Sequence, residues 1–224
     1  MNDLTEIPQL VIRLFGLDLV FNTETIFMTW IVMASLIAFG LGATRKLNFM
    51  PNPLQVVAEL FVKSFYGLTK DALDDQMAKT YFPLVCGLFM FLLLSNWIGV
   101  IPKLSEPTKD LNTPLGFGIM GFFLAHYAGI KKKGIKKYLS EYFQPIFFMA
   151  PLNVIGEFAK VISISFRLYG NILGGSIIIL IVSHLVYGLV LPPFLMTFFG
   201  FFIGTIQAFV FTMLTLVYIS VQVK

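Results

Sequence analysis

Long apolar runs separated by short polar segments make up most of the chain. Residues 24–43, 81–101 and 115–130 are almost uninterrupted apolar runs, and helices of about this length cross the roughly 30 Å of hydrocarbon in a bilayer. The segment 54–79 differs, because its apolar residues recur at helical spacing between charged ones. We therefore predict three spans and one amphipathic helix lying on the membrane surface.

The C-terminal part of the chain is apolar over much longer stretches. A single helix over residues 150–189 would be about 60 Å long at about 1.5 Å per residue, roughly twice the hydrocarbon core. This stretch contains glycines but no proline, so we predict one strongly tilted helix rather than two short spans. Pro192 and Pro193 indicate a turn, and a second tilted helix is predicted over residues 194–221.

The composition supports a single membrane domain over residues 1–224. Of the 224 residues, 57% are hydrophobic and 12% are charged, and the mean hydropathy is +0.84. Such a chain cannot form a water-soluble globular surface. The predicted fold class is an all-α membrane protein with near-vertical transmembrane helices, a surface helix and a tilted C-terminal helix hairpin.

The net charge of +4 comes from short basic clusters beside the apolar runs. This arrangement indicates membrane topology, so we do not expect nucleic acid as a partner. Arg45 and Lys46 follow the first run, and the lysine-rich segment 131–137 follows the third. The positive-inside rule places both clusters in the cytoplasm. The N-terminus is then outside and the C-terminus cytoplasmic.

Polar and small residues form a narrow stripe along the helix predicted over residues 150–189. At about 100° per residue the stripe covers an arc of roughly 80°. One face of the helix therefore carries its chemistry. The members of this stripe are Asn153, Glu157, Lys160, Ile164, Arg167, Asn171 and Gly175.

Arg167 lies in the middle of this apolar helix. A charge at such a depth costs at least a few kcal/mol, and arginine cannot escape the cost by losing its proton. Glu157 is about 15 Å away along the helix, and no acidic residue follows it in the sequence. We infer that the neutralising negative charge comes from another chain.

Glycines near Arg167 and on the last helix predict close helix packing. Gly170, Gly174 and Gly175 have the small-residue spacing that lets a neighbouring helix approach. Gly200 and Gly204 share a side of the last helix with Gln207. We expect the two long helices to face each other around a shared aqueous gap.

Three motifs resemble one known family over nearly the whole chain, with the weakest support before residue 80. The segment 163–171, SISFRLYGN, resembles the signature around the arginine of subunit a in the membrane-embedded Fo sector of F-type ATP synthase. The segment 207–218, QAFVFTMLTLVY, is similar to the last helix of that subunit. Segments 96–102 and 107–112 resemble its central loop.

The resemblance implies a stator channel without catalytic activity or a cofactor. In that family a rotating ring of c subunits carries one ion-binding carboxylate per subunit, and Arg167 would meet each in turn. Ions would enter and leave through two half-channels, while Asn171 and Gln207 position the arginine. The implied partners are the c-subunit ring, the peripheral-stalk b subunits and the whole F1Fo complex, in a bacterial inner membrane.

Two positions depart from the proton-using relatives. Many of them have glutamate where this chain has Ser176, and histidine or an acidic residue where it has Gly200. Either other groups such as Glu157, His184 and water carry protons, or the channel conducts Na+, which needs oxygen ligands but no titratable relay. The missing groups slightly favour Na+, bound transiently.

The remaining candidate residues each have a structural and a functional interpretation. Glu157 and Lys160 are three residues apart and either neutralise each other or line an ion path. Asn153 and Ser176 are interhelical hydrogen-bonding groups or channel-lining groups. His184 is a packing residue or a relay, and Asp110 is a solvated loop acid or part of a channel mouth.

Other classes of function fit the sequence less well. A self-contained secondary transporter is the main alternative, but it would be expected to carry its own counter-charge and an internal repeat. A structural scaffold leaves Arg167 unexplained. No set of nucleophile, base and orienting residue indicates an enzyme, and the lone Cys86 and two histidines lack metal-site spacing.

Overall fold

The computed structural model describes residues 9–14, 17–45, 53–101, 104–142, 150–185 and 191–224. Five helical stretches in this part of the chain are long and apolar enough to cross a membrane, and the fold is that of an all-α membrane protein. The α-helices are α1 (Thr23–Thr44), α2 (Pro53–Ala72), α3 (Asp75–Trp97), α4 (Asn112–Lys133), α5 (Ile135–Tyr142), α6 (Ala150–Leu185), α7 (Leu191–Thr197) and α8 (Gly204–Val223).

A small hairpin precedes these helices and was not part of the sequence prediction. Strands β1 (Gln9–Leu14) and β2 (Leu17–Asn22) pair antiparallel, with Gln9 opposite Asn22 and Leu14 opposite Leu17. The Asn22 side chain then accepts a hydrogen bond from the Glu24 N–H at 3.1 Å, which caps the start of α1.

The boundary between the surface helix and the second span lies earlier than the sequence suggested. The amphipathic segment was predicted over residues 54–79, but α2 ends at Ala72 and α3 begins at Asp75. Asp74 between them has extended backbone, with ψ 152°. The first turns of α3 are polar, so hydrophobic patterning assigned them to the surface helix although they belong to the spanning one.

The core forms where α3, α4 and α8 meet. Leu92, Phe211 and Leu216 are fully buried there, and burying a side chain of this size contributes roughly 1.5–3 kcal/mol. Small residues on α4 allow the close approach, since a Cβ added at Gly121 would lie 3.1 Å from the Thr215 side chain. The outer faces of the helices are apolar and exposed, as expected for lipid contact.

The C-terminal helices are long. Helix α6 has 36 residues, about 54 Å at about 1.5 Å per residue. A π-helical segment, Phe198–Ile203, joins α7 to α8, so this stretch is helical from Leu191 to Val223.

The structure differs from the predicted 150–189 and 194–221 helices at the two prolines between them. Pro192 and Pro193 lie in the first turn of α7 rather than in a turn before it, where proline is tolerated because the first helical N–H groups have no intrahelical partner. Residues 186–189, the last part of the first predicted helix, lie outside the described residues.

Candidate ion-conducting site

Arg167 lies near the middle of α6, on the exterior of the chain. It is exposed, whereas its neighbours Ile164 and Leu168 are 3% and 0% exposed. Within the described ranges the guanidinium has no hydrogen bond and no carboxylate at ion-pair distance. The helix therefore packs its apolar neighbours inward and presents the cation outward.

One turn after Arg167, a hydrogen bond joins α6 to α8. Asn171 Nδ2 donates to Gln207 Oε1 at 2.8 Å. Gln207 is 4% exposed, and its Nε2 has no partner in the described structure. A buried amide N–H without a partner costs about 1–3 kcal/mol. A hydrogen bond from Gln207 Nε2 to water, or to a water that hydrates an ion, would remove this cost.

A cavity of about 410 Å³ lies between α3, α6 and the α7–α8 stretch. We call it the helix cavity. Its lining includes the Asn171–Gln207 pair, and it extends towards the end of α6 and the start of α7. Its polar lining consists of Asn96, Ser105, Glu106, Lys109, Asn171, Ser176, Ser183 and Gln207.

Glycines bring the surrounding helices together, but only partly as predicted. A Cβ at Gly175 would lie 3.0 Å from the Phe199 ring, so this glycine does allow α6 to approach the C-terminal stretch. Gly200 and Gly204 instead face the end of α3 and the 3₁₀ turn after it: a Cβ at Gly200 would overlap Val100, and one at Gly204 would lie 2.9 Å from Asn96 Cβ. The shared-gap prediction therefore missed the contribution of α3.

Gly170 and Gly174 contact nothing within 4 Å of an added Cβ. They were expected to receive a neighbouring helix, and within the described part of this chain none lies there. Both glycines follow Arg167 on α6, so the surface beside the cation is shallow and open.

Asn96 fastens α3 to two other parts of the site. It is 1% exposed, its Nδ2 donates to the Gly204 carbonyl at 2.9 Å, and its Oδ1 accepts from Thr108 Oγ1 at 2.9 Å. Trp97 Nε1 adds a bond to Thr205 Oγ1 at 2.9 Å. These bonds hold the 104–111 loop against the start of α8.

A second cavity, of about 660 Å³, lies between this loop, the start of α1 and Tyr169. We call it the loop cavity. Asp110, predicted as a loop acid or channel mouth, lines it and accepts bonds from the Asn112 backbone and side chain, both at 3.0 Å. Asp110 thus also shapes the start of α4. Ser105 donates to the Glu24 carboxylate across the cavity.

Glu106 was missed by the sequence analysis. It is half-buried, and burial raises the pKa of its carboxyl to about 7, although nearby Lys109 acts in the opposite direction. Among the described residues its carboxyl has no hydrogen bond or ion pair. The only sequence signal was an acidic residue directly before Pro107, which is also what an ordinary solvated loop looks like.

Glu157 and Lys160 pair with each other near the start of α6. Lys160 Nζ donates to Glu157 Oε1 at 2.6 Å and lies 5.6 Å from the centre of the Tyr218 ring. They line a pocket of only about 10 Å³. The neutralising interpretation therefore has a direct contact to support it, and Asn153 lies one turn earlier on the same helix.

His184 and Ser183 lie at the far end of α6. His184 is exposed and its Nδ1 contacts the carbonyl of Leu180 in its own helix at 3.0 Å. Ser183 lines the helix cavity, whereas His184 does not. Across the described ranges, no three His, Cys, Asp or Glu side chains are grouped as metal ligands.

Fold and site together define a polytopic membrane protein in which an arginine lies on the exterior of a spanning helix, one turn from a cavity lined in part by polar side chains. The family model for the ATP synthase A chain matches residues 26–220, and the chain belongs to that family.

Named relatives align along almost their whole length. ATP synthase subunit a of Moorella thermoacetica is 39% identical over 93% of this chain and 94% of that protein. The subunit of the same name from Helicobacter pylori is 34% identical over 93% of this chain and 95% of its own. That of Helicobacter acinonychis is also 34% identical, with the same coverage.

Proposed function

We propose that this chain is the stator ion-channel subunit of a rotary F-type ATP synthase. It passes ions to and from the carboxylates of a c-subunit ring through two half-channels, and it thereby couples ion flow to rotation. The observation that carries the proposal is the placement of Arg167, exposed in mid-helix with no counter-charge in the described residues.

The free-energy cost of placing the Arg167 guanidinium in the membrane supports an acidic partner on the ring. A guanidinium facing lipid at mid-span costs at least a few kcal/mol, and a carboxylate from a neighbouring ring removes that cost. The open surface at Gly170 and Gly174 lets a helix come close beside the cation. Each passing carboxylate is held in its ionised form near Arg167, which promotes ion release.

The helix cavity fits one of the two half-channels. We take the Asn171–Gln207 pair, which lines this cavity one turn from Arg167, as its inner end. The fixed positive charge beside that end repels cations and prevents direct leakage to the other side. Asn171 and Gln207 line the end of the path and position the arginine, as the sequence resemblance implies.

The proposal extends to topology and assembly. We place the chain in a bacterial plasma membrane with the N-terminus outside, so that the helix and loop cavities open outward, and with the C-terminus in the cytoplasm. Helices α6 and α8 tilt to fit their length into the bilayer and face the ring. The peripheral-stalk b subunits and the F1 sector complete the complex, and catalysis takes place outside this chain.

The alternative of a self-contained secondary transporter is less well supported. Such a protein would pair a buried cation with a carboxylate of its own, and the only ion pair of α6 among the described residues is Glu157 with Lys160. H+ and Na+ both remain candidates for the transported ion. The chain lacks titratable groups at Ser176 and Gly200, but Glu106 lies in the cavity wall.

Replacement of Arg167 tests the proposal directly. In vesicles containing the assembled complex, Arg167→Ala is expected to abolish ATP synthesis and ATP-driven pumping, because the ring carboxylate loses the charge that favours its ionisation. Subunit content, measured after purification in mild detergent, should remain the same and include a ring of small hairpin subunits.

Two further variants sharpen this test. Arg167→Lys keeps the charge but not the planar fork of donors, so it should retain less than wild-type pumping. Arg45→Ala removes an arginine at the exposed end of α1 and should pump normally. Coupled pumping by Arg167→Ala at the wild-type rate would contradict the proposed function.

A further inference from the structure

The helix cavity and the loop cavity meet at one short segment. Ser105, Glu106 and Lys109 line both of them. From this segment the helix cavity runs to Asn171 and Gln207, and the loop cavity runs to the start of α1. These three residues thus form the wall that the two cavities share, and a path that connects the cavities there would run along their side chains.

Glu106 lies at this junction in a space left by the turn that follows α3. The 3₁₀ turn Ile98–Val100 follows α3, and a Cβ added at Gly99 in that turn would overlap the Glu106 carboxyl. The absence of a side chain at Gly99 thus makes the space that the carboxyl occupies. Since it has no hydrogen-bond partner among the described residues, the carboxyl is free to bind water from either cavity.

Burial makes this carboxyl suitable for proton exchange. Its pKa is about 7 because of burial, so both protonation states are populated at neutral pH and it can accept or donate a proton readily. The other titratable groups lining the two cavities are Glu24 from α1, Lys109 and Asp110 from the loop and Tyr169 from α6. Glu24 and Asp110 are engaged with Ser105 and Asn112 respectively.

We propose that Glu106 is the proton relay between the loop cavity and the helix cavity. One carboxylate oxygen takes a proton from hydronium in one cavity, forming an O–H bond, and later gives that proton to water in the other cavity. No net chemical change occurs. This inference rests on the proposed function, and it identifies H+ as the transported ion by supplying the titratable group that Ser176 and Gly200 lack.

The relay is tested by changing the carboxyl in the assembled complex. Membrane vesicles carrying Glu106→Gln or Glu106→Asp are assayed for ATP-driven H+ pumping from about pH 6 to about pH 8.5, on either side of the Glu106 pKa. Glu106→Gln should pump roughly tenfold slower or worse at neutral pH, a modest part of what a positioned proton-transfer group contributes. Glu106→Asp should retain pumping with a shifted pH midpoint.

Two controls separate the relay from packing and from Na+ transport. Glu59→Gln makes the same chemical change on an exposed part of α2, outside both cavities, and should match the wild type. Gly99→Ala keeps Glu106 but displaces its carboxyl, so it should also slow pumping. Added Na+ should leave the rate of the wild-type complex unchanged.

Several results would overturn the relay. These are wild-type pumping by Glu106→Gln, an unchanged pH midpoint in Glu106→Asp, or stimulation of the wild-type complex by Na+ at alkaline pH. If Glu106→Gln does not assemble, the midpoint of Glu106→Asp decides. Arg167→Ala, assayed in the same vesicles, keeps the two proposals apart: if it cannot pump while Glu106→Gln pumps normally, only the relay is wrong.

Discussion

At the scale of single residues, the site depends on polar groups whose contacts are set by chain segments distant in sequence. Arg167 and Gln207 were identified from sequence because a charge or amide in an apolar helix is conspicuous. Glu106 was not, because its burial depends on the space left by Gly99 on another element. A sequence shows that a residue is acidic but not which cavity it enters.

Asn96 gives a residue-scale prediction on stability. Asn96→Ala leaves the buried Thr108 hydroxyl without its partner, at about 1–3 kcal/mol for a group left unsatisfied, and it removes the second hydrogen bond that the Gly204 carbonyl accepts. We expect a lower melting temperature of the detergent-purified complex. Thr108→Val breaks only the Asn96–Thr108 bond and should lower the melting temperature by less than Asn96→Ala does.

The double variant Asn96→Ala/Thr108→Val completes this cycle. Its destabilisation should be smaller than the sum of the two single effects, because both changes remove the same Asn96–Thr108 bond. Strict additivity would show that this bond contributes nothing to stability.

At the scale of helices, length and hydrophobicity could be read from the sequence, whereas packing partners could not. One uninterrupted helix was expected from residue 150 onward, and α6 is such a helix through Leu185. Gly200 and Gly204 line the cavity shared with α6, as expected, but their closest contacts are with α3 and the turn after it, because small residues show that something packs closely but not what does. The π-helical segment around Gly200 has no simple hydrophobic period that would reveal it.

Gly200 gives the prediction at this scale. In Gly200→Ala the new methyl group overlaps Val100, so we expect destabilisation by about 1–3 kcal/mol, measured by thermal unfolding of the purified complex. Val100→Ala added to that variant should restore part of the loss. Gly42→Ala on α1, where an added Cβ meets nothing within 4 Å, should be neutral or slightly stabilising.

At the scale of the whole molecule, charged segments mark which helix ends lie on the same side of the bilayer. Lys132 at the end of α4 pairs with Asp74 at the start of α3, so these two helix ends lie on the same side of the bilayer. The loop containing Asp110 lies at the opposite ends of the same helices. The sequence could predict this alternation of helix ends because it follows from counting spans and basic clusters. No comparable rule predicts the N-terminal hairpin, which is short and lies outside the spans.

Accessibility to a membrane-impermeant thiol reagent tests this arrangement. In a Cys86→Ser background, Thr23→Cys should react in intact cells, and Lys136→Cys should react only in inverted vesicles; both positions are exposed. Labelling of Lys136→Cys from outside would reverse the proposed topology while leaving the family membership unaffected.

The pocket beside Glu157 and Lys160 differs greatly in size from the helix cavity. At about 10 Å³ it barely accommodates one water molecule, whereas the helix cavity encloses about 410 Å³. In the described part of this subunit, then, the helix cavity is walled by the chain's own helices, whereas the pocket towards the start of α6 is too small for a file of water molecules. Under the proposed function, the path on that side is completed by the surface of the rotor, so it would exist only in the assembled machine.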